Sequence, residues 1–101
     1  IRVPMITRWP GKIPSGINDT ETVWGAVDIL ATVMDATGFS YLTPPSTDSI
    51  SFLPSLLGAP KSTQRKHKYL YFESDINQKQ SIRFQNFKAV RQSPVSSIEL
   101  Y

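Results

Sequence analysis

The chain has 101 residues, 40% of them hydrophobic and 19% charged, with a formal net charge of +3, no cysteine and a single histidine, His67. That length holds one domain with a small core at most, and the composition is that of a folding sequence rather than a disordered one. It excludes disulfides, thiolate metal sites, cysteine nucleophiles and any histidine-rich centre. No apolar run approaches the roughly 18 residues of a membrane-spanning helix.

The first nine residues, IRVPMITRW, read as a β-strand: Val3, Ile6 and Thr7 are β-branched and Trp9 is aromatic. Pro4 cannot donate to a ladder, which puts it at a strand start or on an edge. Because the chain opens inside such a pattern, its natural N-terminus is expected upstream of Ile1. Residues 10–16, PGKIPSG, are turn chemistry. Within 18–38 the spacing predicts a helix over about 26–37. Val27, Leu30, Ala31 and Met34 form one apolar stripe, widened by Ile29 and Val33. Asp28 falls in the first turn, at the positive end of the helix dipole, and Gly38 at the left-handed position that ends a helix. Residues 39–48 are a loop, broken by Pro44 and Pro45. Within 49–60 a short helix is expected, with Ser49 or Ser51 as cap, Pro54 in its first turn and Gly58 as its stop.

The last third alternates with a period of two, giving strands at 68–74, 81–85, 87–92 and 97–101. Gln85-Asn86 predicts a tight hairpin, with Asn86 at the positive φ. The expected fold class is α+β: a small antiparallel sheet of three to four strands with two helices packed on it. The basic run KSTQRKHK, 61–68, reads first as a solvated loop. Its aromatics follow the lysines in a strand instead of interleaving with them, so nucleic acid is not the expected partner.

Three stretches, IRVPMITRWPGKIPSG, VDILATVMDATG with SISFLPSLLG, and KYLYFES…SIRFQNFKAVR…IELY, together resemble sulfatases of the arylsulfatase type. The first is similar to the stretch after that family's Glu-Gly-Gly segment. The second is similar to its Asp-bearing helix and Ser-Leu-Leu-Pro-type segment, and the third to its C-terminal strands. Order and spacing fit nearly the whole chain. Two departures are conservative. Ala31-Thr32 stands where Pro-Thr is common, and Gln85-Asn86-Phe87-Lys88 stands for Gly-Asp-Trp-Lys.

The resemblance implies a fragment of an alkaline-phosphatase-like α/β sulfatase fold. Residues 1–60 would end the large domain, and 61–101 would form the C-terminal antiparallel-sheet subdomain. It implies sulfate-ester hydrolysis by a formylglycine nucleophile with calcium, on sulfated carbohydrate or aryl sulfate. No Cys/Ser-x-Pro-x-Arg motif or paired Asp cluster occurs here, and Asn18-Asp19 reads as a helix-entry turn. The catalytic lysine of the family would precede Ile1. No cofactor is therefore expected in this chain; calcium and formylglycine belong to the missing N-terminal part, which is the implied partner. Family members are often secreted, periplasmic or lysosomal, and the sequence leaves the compartment open.

Carried over residue by residue, Arg2 would support the catalytic pocket from behind, with an ion pair at the strand start as the plainer role. Glu73, Arg83 and Lys88 would rim the substrate cleft, with cross-strand charge pairing as the plainer role; Arg91 reads the same way. His67 reads as a loop residue, and Trp9 and Trp24 as packing. Self-association is expected through an open edge at 1–9. The alternative function is a small basic module that binds an acidic glycan or nucleic acid through 61–68, with Arg65, Lys66 and Lys68 as the charges to neutralise.

Overall fold

Helix α1, Asp28–Ala36, ends where the sequence places its stop. Gly38 takes φ +79°. Its amide donates to the Asp35 carbonyl and the Phe39 amide to the Met34 carbonyl, which closes the last carbonyls as a Schellman motif. A one-turn helix α2, Leu53–Leu56, follows with Pro54 in its first turn. It closes in the same way: Gly58 has φ +73°, its amide donates to Ser55 and that of Ala59 to Pro54. Short 3-10 turns occupy Ser40–Leu42 and Lys61–Thr63.

The strands are β1 Leu70–Ser74, β2 Lys79–Phe84, β3 Phe87–Arg91 and β4 Ile98–Leu100. They form one antiparallel sheet in the order β1-β2-β3-β4. A turn at Ile76–Gln78, with Asn77 and Gln78 at φ +63° and +51°, links β1 to β2. Pro94 lies in the β3–β4 connection, where Ser93 and Ser96 close a turn through their hydroxyls at 2.6 Å. The fold is thus α+β, with two helices and a four-stranded antiparallel sheet.

The computed structural model describes residues 3–101. Two compact units make up the chain, one ending at Lys66 and the other spanning His67–Tyr101. The helices belong to the first and the sheet to the second.

Three expectations are corrected. Of the strand expected at 1–9, Ile1 and Arg2 lie outside the described residues, and 3–9 is not a strand. β propensity needs a pairing partner, and Val3–Trp9 has none in a sheet whose members are all drawn from 70–100. The chain turns instead at Trp9, whose carbonyl accepts the amides of Lys12 and Ile13 at 3.0 and 2.9 Å. In the β2–β3 hairpin the positive φ falls on Gln85, at +51°, and not on Asn86. The Gln85 carbonyl is turned toward Arg83, whose Nε donates to it at 3.1 Å.

The third correction concerns α1. Its expected apolar stripe is not its buried side. Ala31 is buried, but Leu30 and Val33 are 49% and 53% exposed. The buried edge is Asp28, Ala31 and Thr32. Periodicity detects an apolar stripe but not which side the rest of the chain covers. Here that side is chosen by hydrogen bonds. Among the described residues the buried apolar side chains are Ala31, Phe52 and Leu70. Trp24 packs on Phe52 with ring centroids 4.9 Å apart.

Candidate functional site

The inward edge of α1 is held by side-chain-to-backbone bonds to a segment about twenty residues on. Asp28 is fully buried. Its Oδ2 accepts the Gly25 amide at 2.8 Å, and its Oδ1 accepts the Ile50 amide at 2.9 Å. Thr32 Oγ1 donates to the Asp28 carbonyl at 2.7 Å and accepts the Phe52 amide at 3.1 Å. The Ala31 amide donates to Ser49 Oγ, and Ser51 Oγ donates to Asp35 Oδ2 at 2.7 Å. Gln64, also buried, extends the network. Its Nε2 donates to the carbonyls of Ser51 and Arg65, and its Oε1 accepts from the amide and hydroxyl of Ser55. This satisfies backbone groups that α2 and the extended segment before it would otherwise leave unpaired.

A cleft of about 290 Å³ opens beside this network. Its lining includes Asp35 from α1, Ser40 and Thr43 from the following turn, Ser49 and Ser51 from the extended segment, and Thr63 and Arg65 from the basic loop. Ala31, Ile50 and Pro54 supply the apolar part. The cleft therefore carries one carboxylate, one guanidinium and five hydroxyls. The Thr63 hydroxyl donates to the Pro60 carbonyl, which leaves its oxygen able to accept. Among the described residues, the Arg65 guanidinium and the hydroxyls of Ser40 and Thr43 make no hydrogen bond or ion pair.

The fold gives the members of the basic run different settings. Lys61 is paired with Glu21 at the surface, and its amine is raised above the ordinary lysine value by that hydrogen bond and charge. Lys66 borders a much smaller crevice with Glu21 and Ser55. Arg65 alone of 64–68 is both charged and in the larger cleft. Asp19, in the expected entry turn, accepts the amides of Glu21 and Thr22 at 3.0 Å each. Its carboxyl is held below the ordinary value, first by a hydrogen bond from the Thr22 side chain.

The sheet separates the residues expected at a substrate rim. Positions paired across strands share a face. Leu70, Arg83 and Lys88 form one row, so Arg83 and Lys88 are direct cross-strand neighbours. Lys88 Nζ lies 5.9 Å from the centroid of the Tyr101 ring. Glu73 lies on the other face, in a row with Gln80 and Arg91. There Gln80 Nε2 donates to Glu73 Oε1 at 3.1 Å, and Arg91 Nε donates to Gln80 Oε1 at 3.0 Å. Tyr71 Oη also donates to Glu73. Partial desolvation, and then this bond, raise the Tyr71 phenol above its ordinary value. Arg2 lies outside the described residues. Sequence reasoning passed over Asp35, Ser40, Thr43 and Thr63, because nothing in their spacing predicts that a turn and a loop converge on α1.

Among the described residues no three His, Cys, Asp or Glu side chains converge as a metal ligand set. No helix among these residues is long and apolar enough to cross a membrane. Compared with protein-family models and with curated proteins, the chain matches none.

Proposed function

We propose that the chain is the C-terminal segment of a sulfatase-type sulfuric ester hydrolase on an alkaline-phosphatase-like scaffold. The observation that carries this reading is uncovered apolar surface of the kind a larger domain covers. The outer side of α1 presents Ile29, Leu30 and Val33. The sheet face opposite Arg83 and Lys88 presents Tyr71, Ile82, Phe84, Phe87 and Leu100, with Phe87 55% and Leu100 70% exposed. Contiguous apolar surface of this kind marks a place where another element packs. The family is supported by the order of the three sequence stretches. The parent enzyme would hydrolyse aryl or carbohydrate sulfates with a formylglycine nucleophile and calcium from its N-terminal part; Arg83 and Lys88, on one sheet face, would rim its cleft, and Glu73, on the other, would brace the strands through Gln80. The exposed Val3 and Ile6 add an apolar segment through which free chains would associate.

By itself the chain should not turn over a sulfate ester. Hydrolysis of an aryl sulfate by the purified 101-residue protein would defeat this assignment. So would a gene with no Cys/Ser-x-Pro-x-Arg motif upstream of Ile1.

A second reading, a module for an acidic glycan, is favoured by one specific observation: the guanidinium of Arg65, from the basic loop, lines a hydroxyl-rich cleft with no ion-pair or hydrogen-bond partner among the described residues.

A further inference from the structure

We propose that the cleft between α1 and the basic loop binds a single sugar unit carrying one anionic group. Arg65 would take the anion, while Asp35 and the free hydroxyls would take the ring. The inference rests on the glycan-binding reading and narrows it from a charged loop to one cleft.

Five observations carry it. The volume, about 290 Å³, suits a small ring and not a folded partner. The guanidinium and the carboxylate line the same cleft yet form no ion pair with each other. Both are thus available to one ligand that is an acid at one end and a hydrogen-bond donor at the other. A guanidinium presents a planar fork that matches a carboxylate or sulfate in two parallel bonds. Ser51 donates to Asp35 Oδ2 and so orients the carboxylate as an acceptor, which is what a ring hydroxyl needs. Ser40 and Thr43 can each donate and accept, as the neighbouring hydroxyls of a sugar also can. The remaining lining, Ala31, Ile50 and Pro54, gives the C–H face of a ring an apolar wall. An inorganic anion would use Arg65 and leave the rest of this surface idle.

The test is a ¹⁵N-resolved titration of the full chain, at matched ionic strength, with glucuronic acid, glucose 6-sulfate, methyl glucoside and sodium sulfate. The expected result is saturable shifts of the Ser49, Ser51 and Arg65 amides with the two acidic sugars. Methyl glucoside and sulfate should bind roughly tenfold more weakly or not at all. The two acidic sugars together decide between a carboxylate and a sulfate ester as the anion. Arg65→Gln should weaken the better sugar by about tenfold or more, the effect of losing a charge-assisted hydrogen bond. Paired Lys66→Gln and Lys68→Gln should leave it within about twofold. Equal binding of free sulfate, or an equal loss from the two lysine changes, would overturn the proposal, since either means that net charge does the binding. Retention on an immobilised heparin column tests the broader reading separately. A wild-type chain that elutes with the salt front removes the acidic-glycan reading. Retention that is unchanged by Arg65→Gln keeps that reading and removes the cleft.

Discussion

In the unit that ends at Lys66, backbone groups are paired by side chains from far along the chain: Asp28 to Ile50, Thr32 to Phe52, Gln64 to Ser51. In His67–Tyr101 they are paired by adjacent strands joined by short turns. The first arrangement concentrates stability in a few buried polar atoms, each a single point of failure. The second spreads it over a ladder in which every pair is replaceable. The same contrast explains where function can be built. The cleft with Arg65 exists because distant segments are pulled together. The sheet instead displays its residues in rows that alternation already implies.

The sharpest way to break the contrast is Asp28→Ala. It orphans the Gly25 and Ile50 amides beside a buried helix edge, and should cost about 3 kcal/mol. Both tryptophans, Trp9 and Trp24, lie in this unit. The loss is therefore expected as a lower urea midpoint by fluorescence, while the amide shifts of 79–91 hold. Loss of both signals together would mean that the two units are not separately stable. Thr32→Val keeps the shape but leaves the Phe52 amide without its acceptor, and about 1–3 kcal/mol should disappear from the same transition.

The sheet should respond in smaller steps. Gln85 holds φ +51°, a conformation that costs a side-chain-bearing residue and not glycine. Gln85→Gly should stabilise the hairpin by about 0.5–1 kcal/mol, read as slower hydrogen exchange at β2 and β3. A destabilised hairpin would show that the Arg83–Gln85 contact outweighs the strain.

The smallest effect concerns the Tyr101–Glu99 pair. Tyr101 Oη donates to Glu99 at 2.7 Å. That bond raises the phenol above its ordinary value and is the main cause holding the Glu99 carboxyl below its own. The raised phenol contributes below the ordinary tyrosine range and is lost as pH rises through its folded value. The lowered carboxyl contributes above the ordinary carboxylate range and is lost as pH falls through its folded value. The pair is therefore fully in place between the ordinary carboxylate and phenol ranges and fades outside them, as the pH passes each folded value. Glu99→Gln should bring Tyr101 ionisation down toward the ordinary range in an ultraviolet pH titration. An unmoved titration curve would dissolve the pair.

Much of the sheet was legible in the sequence, because alternation and short turns are local signals. The four strands fall within two residues of their expected starts and ends. The helix stops at Gly38 and Gly58 were equally legible, since a left-handed residue after an apolar turn has one common use. The rest was not. Alternation at 3–9 carries no information about whether a neighbouring strand exists. The stripe on α1 says nothing about whether a run of serines will cover the other side. The basic loop looked uniform, although its Lys61 is tied to Glu21 and its Arg65 lines a cleft.

By itself, then, the sequence determined the element types, the meander and the exclusion of thiol chemistry, because composition, period and turn residues act over a few positions. The tertiary structure alone decided that Asp28 and Thr32 face inward, that Glu73 lies on the opposite sheet face from Arg83 and Lys88, and that Asp35 shares a cleft with Arg65. Each of these depends on contacts between segments distant in the chain, made by hydrogen bonds whose partners no local pattern names.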